Sequence, residues 1–263
     1  MTRVLSALVL LPIVVGTVWF LPPVATLVLA VVVAALAFHE YVGLARALGA
    51  RVPPAMAGAA VLAACVSLGG GYSGLDVVLL AAVILVGAFA VGSGRPGPSV
   101  LLDAGASLLP VVYIGLPLGA LAAVRLTGGR EAVLLLMATI VVSDSAQYYT
   151  GRAFGRRPLA PAISPNKTLE GAFGGIVFGT VAMLAGGLWL FPAADLFILS
   201  VVSASVVTLG IVGDLFESLL KRSAGLKDSS SLIPGHGGVL DRIDSWLFAA
   251  PVFYVFVRYL QVR

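Results

Sequence analysis

Nine apolar stretches organise this chain, at residues 4–21, 24–44, 54–70, 75–92, 105–124, 131–150, 170–191, 194–215 and 245–260. About 20 mainly apolar residues, within a range of about 17 to 25, carry an α-helix across the hydrocarbon core of a bilayer. The pattern therefore predicts an all-α polytopic membrane protein with about nine transmembrane helices. The third stretch is short and ends in glycines, the fifth contains Pro110 and Pro117, and the last is short. Prolines are tolerated in such helices where neighbours satisfy the freed carbonyls. Only 11% of the residues are charged and mean hydropathy is +1.08, against about 25% charged in soluble domains. The first stretch, entered from Arg3, is too long for a signal peptide. No small-residue cleavage site follows Leu21-Pro22-Pro23, so it is read as a spanning helix.

The basic residues set an orientation. With the N-terminus inside, the cytoplasmic segments hold Arg3, Arg46, Arg51, Arg95, Arg152, Arg156, Arg157, Lys167, Lys221, Arg222, Lys227 and Arg242. The opposite side holds only Arg125, Arg130, Arg258 and Arg263, which predicts N-terminus in and C-terminus out. The net charge of +4 then reflects positive loops, and no nucleic-acid partner is expected. Cys65 is the only cysteine, so no internal disulfide forms and a buried thiol is expected. The sequence shows neither repeats nor a separate soluble domain, so residues 1–263 read as a single integral-membrane domain. Asp144, Glu170, Asp214, Glu217, Asp228, Asp241 and Asp244 all lie after residue 140. Residues 1–130 are accordingly expected to be scaffold helices, and 131–263 a catalytic half with cytoplasmic loops at 151–169 and 216–244.

The most polar stretch runs from Ser218 to Ser245, SLLKRSAGLKDSSSLIPGHGGVLDRIDS. It sets Lys221, Arg222, Lys227 and Arg242 against Asp228, Asp241 and Asp244, around a Pro-Gly-His-Gly-Gly turn at 234–238. Asp214, Glu217, Ser218 and Lys221 are spaced i, i+3, i+4 and i+7, one helical face leading into the loop. Asp241 and Asp244, three apart, stand at the entrance of the last apolar run. Carboxylates hold Mg²⁺ while lysine and arginine neutralise phosphate oxygens, so this mixture suits a metal with a polyphosphate. Glycines allow backbone to approach such a ligand closely. The plain alternative is a solvated charged loop, against which the long and particular ordering speaks.

A second polar segment, Ser143 to Gly171, reads SDSAQYYTGRAFGRRPLAPAISPNKTLEG. Asp144 falls inside an apolar run, where a carboxylate costs ~2.5–3.5 kcal/mol on insertion scales unless it is paired or faces water. It is either a functional group or a packing aspartate satisfied by Ser143, Ser145 or Gln147. Gly151, Arg152, Gly155, Arg156 and Arg157 form a basic turn at headgroup level. Ser164, Lys167 and Thr168 precede a helix start, where free N–H groups and the helix dipole favour phosphate. Serine and threonine there are also ordinary caps.

Both segments resemble the CDP-diacylglycerol synthases, also called phosphatidate cytidylyltransferases. The first is similar to that family's signature at essentially every fixed position from Ser218 to Ser245. In the second, Asp144, Tyr148, Gly151, Arg152, Ser164, Pro165, Lys167, Thr168, Glu170 and Gly171 match, with Gln147 where alanine is common and Asn166 where a second lysine is common. The two cover about a fifth of the chain, and hydropathy resembles the family along the rest. The resemblance implies CMP transfer from CTP to phosphatidate, giving CDP-diacylglycerol and pyrophosphate at the inner membrane, from a cytoplasmic active site and a homodimer. It further implies Mg²⁺ on Asp214 and Asp241, with Asp144 and Asp244 as further ligands and a second cation left open. Lys221, Arg222, Lys227 and Lys167 would hold the triphosphate, Arg152 or Arg242 the lipid phosphate, and Ser218 a hydrogen bond to it. Asp144, Lys221, Asp241 and Asp244 are thus the expected catalytic set; Ser164, Thr168 and His236 join the substrate-binding set.

Other readings are separable. A CTP-using lipid-alcohol kinase would release CDP instead of pyrophosphate. The Asp-Gly-x-x-Ala-Arg pattern of transferases that join CDP-lipids to alcohols is missing from the sequence. A secondary transporter for an anionic solute would show inverted repeats and midplane charges. His236 either touches phosphate or organises its turn, and no neighbouring His or Cys suggests a zinc site. His39, Glu40 and Tyr41 are expected to form an interfacial cluster reaching out to water, with a substrate cleft as the alternative.

Overall fold

The computed structural model describes residues 2–94, 96–233, 235 and 237–260, with side chains from Leu8 onward. Arg95, His236, Arg263 and the side chain of Arg3, each given a place in the topology or the site above, lie outside the described residues. The chain forms α1 (Thr2–Phe20), α2 (Pro23–Ala47), α3 (Pro54–Gly69), α4 (Leu75–Gly92) and α5 (Ser99–Pro110). A π-helical turn at Val111–Gly115 joins α5 to α6 (Leu116–Phe154). A hairpin of β1 (Pro158–Ala160) and β2 (Ser164–Thr168) leads into α7 (Leu169–Leu190) and α8 (Leu196–Ser223), and α9 (Leu240–Val255) ends in a second π-helical turn at Phe256–Leu260. Six described helices are long and apolar enough to cross a membrane, and Leu8–Phe20 and Pro54–Gly69 are shorter apolar helices. The architecture is that of an all-α, multi-pass membrane protein.

Two expected loops are shorter than the sequence suggested. Helix α8 continues to Ser223 and α9 begins at Leu240, so the irregular part of the expected 216–244 loop is 224–239. Residues 151–154 are helical, and most of the remainder of the 151–169 segment is an antiparallel hairpin pairing Pro158 with Thr168 and Ala160 with Ser164. Its proline-rich sequence has no alternating hydrophobic pattern, so periodicity could not show it. The spans expected at 105–124 and 131–150 belong to one continuous helical stretch, Ser99–Phe154. Gly129, at φ 83° and ψ −178°, interrupts its helical geometry. That backbone region is essentially open to glycine alone.

The chain divides into two compact units, Met1–Leu126 with Leu220–Arg242, and Thr127–Leu219 with Ile243–Arg263. In the first, α3 packs against the π-helical turn and the start of α6 at two glycines. A Cβ on Gly115 would lie 2.6 Å from the Val61 carbonyl oxygen, and one on Gly119 would lie 2.9 Å from that of Cys65. Gly115 and Gly119 are four apart, as are Val61 and Cys65, so the helices meet backbone to backbone along one stripe. Val61, Ala64 and Cys65 are fully buried there, which agrees with the buried thiol expected at 65. Elsewhere in this unit the Tyr41 hydroxyl donates to the Ala106 carbonyl (2.9 Å), and Arg125 donates to the carbonyls of Val18 and Leu21 (both 3.2 Å). Helix α4 leaves Val77, Leu80, Val83, Ile84 and Phe89 exposed, as a lipid-facing helix does.

The second unit is built by the same device. The glycines of the Leu169-Glu-Gly-Ala-Phe-Gly-Gly start of α7 face α6: a Cβ on Gly171 would lie 2.8 Å from the Gln147 carbonyl oxygen, and one on Gly175 would lie 3.1 Å from that of Ser143. Gly213 on α8 stands similarly against α9, where a Cβ would lie 2.6 Å from the Asp244 carbonyl oxygen. Phe191, Phe253 and Phe256 cluster with ring centroids 5.3–6.3 Å apart. Overpacking a close contact costs about 1–3 kcal/mol. Gly115→Ala should therefore lower the thermal midpoint in detergent by several degrees, whereas Gly87→Ala, with no atom within 4 Å of its added Cβ, should leave it unchanged or raise it.

Candidate functional site

Two polar constellations account for most of the predicted residues, one in each unit. In the second unit, α6 carries Asp144, β2 carries Lys167, α8 carries Asp214 and Ser218, and α9 carries Asp244. The hairpin explains how Lys167 is positioned. Leu169 N–H donates to the Arg157 carbonyl (2.9 Å), and the Glu170 carboxylate accepts from the backbone N–H groups of Arg156 (3.0 Å) and Arg157 (3.3 Å), which fixes the hairpin's base to the start of α7. Thr168 caps α7, its hydroxyl oxygen accepting from Gly171 N–H (3.1 Å), so the ordinary role of a threonine before a helix applies to it.

Lys167 Nζ pairs with Asp214, both side chains being about a quarter exposed. Ser218 Oγ donates to the other Asp214 oxygen at 3.5 Å. Gln147 Nε2 donates to Asp144 (3.1 Å), which realises one of the partners expected for that carboxylate. Asp144 and Asp244 each lie in the electrostatic field of Asp214 and Lys167, and Asp244 in that of Asp144 as well. Lys167 thus pairs with Asp214, and the carboxylates of Asp144 and Asp244 lie near the pair, a set of acidic groups made entirely of hard oxygen atoms. Such a donor set suits a divalent cation such as Mg²⁺. Among the described residues, no three carboxylate, imidazole or thiol groups converge into a ready-made metal site.

The first unit holds the other constellation. Lys221 Nζ, in the last turn of α8, bonds Asp241 Oδ1 at 2.5 Å, with the side chains 12% and 5% exposed. Asp241 Oδ2 accepts from Ser229 N–H (3.0 Å), Ser229 Oγ (2.8 Å) and Gly238 N–H (2.7 Å). Both oxygens of Asp241 are therefore engaged in shaping the 224–239 segment. Ile233 bridges to Gly237, whose φ of 80° suits glycine. Arg222 donates to the Leu226 carbonyl (3.3 Å), while Lys227 and Arg242 are exposed. Asp241 and Asp244, adjacent on α9, thus have different partners.

The remaining predicted residues are more dispersed. Arg152 donates to the Tyr148 hydroxyl (3.1 Å) on the exposed end of α6, and Ser164 is half-buried at the start of β2. Glu40 departs from its expected place: it does not reach to water but is 3% exposed, with four donor groups of the loop and α9 within hydrogen-bond distance of its oxygens. The signal that flagged Asp144, a carboxylate in an apolar run, was present at Glu40 too. His39, its neighbour, is exposed and lines a cavity with Phe38, Val42, Arg46 and Pro54.

Known proteins share this sequence pattern. The model of the "Cytidylyltransferase family" matches residues 1–260. An Escherichia coli (strain K12) protein named "Uncharacterized protein YnbB" is 45% identical over 135 residues, 51% of this chain and 45% of the relative. A "Phosphatidate cytidylyltransferase" of Helicobacter pylori (strain J99 / ATCC 700824) is 40% identical over 163 residues, 59% of this chain and 58% of the relative. One of the same name from Pseudomonas aeruginosa PAO1 is 43% identical over 122 residues, 46% and 45% of the two chains. The chain spans about half the length of these curated relatives.

Removing one partner of a buried ion pair destabilises by about 3–5 kcal/mol, because the other charge is left buried. Lys221→Met should therefore lower the nucleotide-free unfolding midpoint in detergent, and adding Asp241→Asn should recover part of the loss. An equal midpoint for Lys221→Met and the unaltered protein would contradict the pairing.

Proposed function

This chain belongs to the cytidylyltransferase family, and we propose that it transfers CMP from CTP to phosphatidate, giving CDP-diacylglycerol and pyrophosphate for phospholipid biosynthesis. The observation that carries the proposal is the Asp144, Lys167, Asp214 and Asp244 constellation, a cationic group among hard anionic oxygens, in a membrane chain matched by that family from residue 1 to 260. The names of the Helicobacter and Pseudomonas relatives supply the lipid substrate.

The reaction forms one bond and breaks one. A phosphate oxygen of phosphatidate attacks the α-phosphorus of CTP, and the bond from that phosphorus to the bridging oxygen breaks, its electron pair leaving with pyrophosphate. A phosphatidate phosphate is already anionic near neutral pH, so no strong general base is needed; the barrier is repulsion between two anions. Preorganised cations lower such a barrier by stabilising charge as it develops. Lys167, Arg222 and Lys227 are assigned to the triphosphate and the leaving pyrophosphate, and Arg152 or Arg242 to the lipid phosphate. Ser164, Thr168, Ser218 and His236 complete the substrate-binding set. Mg²⁺, when bound, would neutralise phosphate oxygens; Asp214 would hold it, with Asp144 and Asp244 as further carboxylates beside it. Asp241, whose oxygens already accept four hydrogen bonds, is assigned with Lys221 to shaping the loop.

The finer topology is part of the same proposal. Counting the Ser99–Phe154 stretch as two spans about Gly129, and adding the two shorter apolar helices to the six long ones, gives nine. The distribution of lysine and arginine supports N-terminus in and C-terminus out, in the inner membrane, with the nucleotide taken from the cytoplasm. Homodimerisation is proposed on family resemblance alone.

Purified protein in detergent, given CTP, phosphatidate and Mg²⁺, should form lipid-bound cytidine and pyrophosphate in equal amounts. Asp214→Asn and Lys167→Met should each lower kcat/KM by about 10²-fold or more, the scale of losing one transition-state charge contact. Release of CDP in place of pyrophosphate, or full activity in Asp214→Asn, would overturn the assignment.

A further inference from the structure

Glu40 is a buried carboxylate to which the proposed reaction gives no task. It lies on α2, far from the loop in sequence, yet its oxygens bind both ends of residues 229–240. Oε1 accepts from Ser230 Oγ (2.6 Å) and Val239 N–H (2.9 Å); Oε2 accepts from Leu240 N–H (2.7 Å) and shares the single Ser229 hydroxyl proton (3.1 Å) with Asp241 Oδ2 (2.8 Å). The two amides lie at the start of α9, where unpaired N–H groups and the helix dipole favour a negative charge. The two hydroxyls come from the middle of the 224–239 segment, so one side chain joins that middle to the loop's exit. Asp241 repeats the closure through Ser229 and Gly238. Gly238 is packed into this junction: a Cβ there would lie 2.6 Å from both Glu40 oxygens and overlap Ser229 Oγ.

All four of Glu40's partners are neutral donors, so holding the loop engages none of its cations. A lysine or arginine in the same place would itself have to turn its charge to carbonyl oxygens. We propose that Glu40 is a positioning residue: its carboxylate fixes the 229–240 segment, which carries no lysine or arginine of its own, in the shape that sets Lys227 before it and Arg242 after it toward the polyphosphate of the nucleotide. The inference rests on the cytidylyltransferase reading and deepens it by giving α2 a part in nucleotide affinity. Glu40 touches no substrate; it acts through the loop.

The test compares Glu40→Gln and Glu40→Asp with the unaltered full-length protein in detergent. Glutamine keeps the shape but turns an NH₂ group towards groups that are themselves donors, and aspartate keeps the charge on a shorter arm. For Glu40→Gln, the KM for CTP and the dissociation constant of labelled CTP should rise at least tenfold, while the KM for phosphatidate changes less than twofold. Hydrogen exchange should accelerate in peptides covering 229–240 and stay unchanged elsewhere. Glu40→Asp should recover part of the CTP affinity. In a double-mutant cycle, Gly238→Ala should weaken CTP binding in the unaltered background yet add nothing to Glu40→Ala, because both disturb one junction.

Unchanged CTP affinity in Glu40→Gln, an equal rise in both KM values, or additive losses in the cycle would each overturn the proposal. If the unaltered protein binds CTP without transferring CMP, the activity assignment falls while a tenfold loss of CTP binding in Glu40→Gln still supports the role of Glu40. If it neither transfers CMP nor binds CTP, both fall. Should Glu40→Gln fail to fold, Ser230→Ala removes a single donor and should raise the CTP dissociation constant two- to fivefold; no change would overturn the proposal.

Discussion

Charge in a membrane chain has to be answered inside the protein, and the polar architecture here derives from that constraint. A carboxylate facing hydrocarbon carries a penalty of a few kcal/mol that water would otherwise remove. Each acidic group of the two constellations has met it differently. Asp214 takes a lysine from a hairpin, Asp241 takes a lysine from the end of α8 plus three loop donors, and Glu40 takes four neutral donors. Asp144 takes one amide from Gln147 and Asp244 the N–H of Ser245, and both lie in the field of Asp214, which suits these two to a cation from outside.

Glycine makes these meetings possible. Apolar packing gives little net drive between helices in lipid, so close backbone approach and hydrogen bonds have to hold them. The runs at Gly115 and Gly119, at Gly171 and Gly175, and at Gly213 bring backbone against backbone within each unit. The same contacts place function. Gly171 and Gly175 dock the start of α7 on α6 at Gln147 and Ser143, within one turn of Asp144 on either side, and Gly213 sits beside Asp214 where α8 meets α9. Scaffold and site are thus built from neighbouring residues of the same helices.

Much of this is legible in the sequence, and the exceptions have physical reasons. Hydropathy locates the helices, because a spanning helix is apolar on all sides and needs no periodicity to be found. It fails at Gly129, where one backbone conformation interrupts a helix without changing composition, and at the ends of α8 and α9, whose polar turns look like loop. The 158–168 hairpin is invisible to it because prolines and a lysine, not alternating hydrophobics, build it. Lys167 and Asp214 both stand out in the sequence, but their pairing spans 47 residues and no local pattern encodes it. Glu40 is masked by its neighbours His39 and Tyr41, which suggest an interfacial cluster. Its role depends on residues about 190 positions away, which only the folded chain brings near.

The choice of a carboxylate at position 40 also bears on why the loop is acidic inside and basic outside. A phosphate-binding loop needs free N–H groups and cations, and a loop of this length has to be held in one shape beforehand, or the entropy of ordering it subtracts from affinity when the ligand arrives. If lysines and arginines supplied that rigidity, each would be withdrawn from the ligand; if hydroxyls alone supplied it, several would have to replace one carboxylate. Glu40 and Asp241 close the loop from within and engage one cation, Lys221, in doing so. Lys227 and Arg242 stay at the surface. On the proposed reading, internal acid is what leaves external base available, and the two buried carboxylates serve anion binding as much as the cations do.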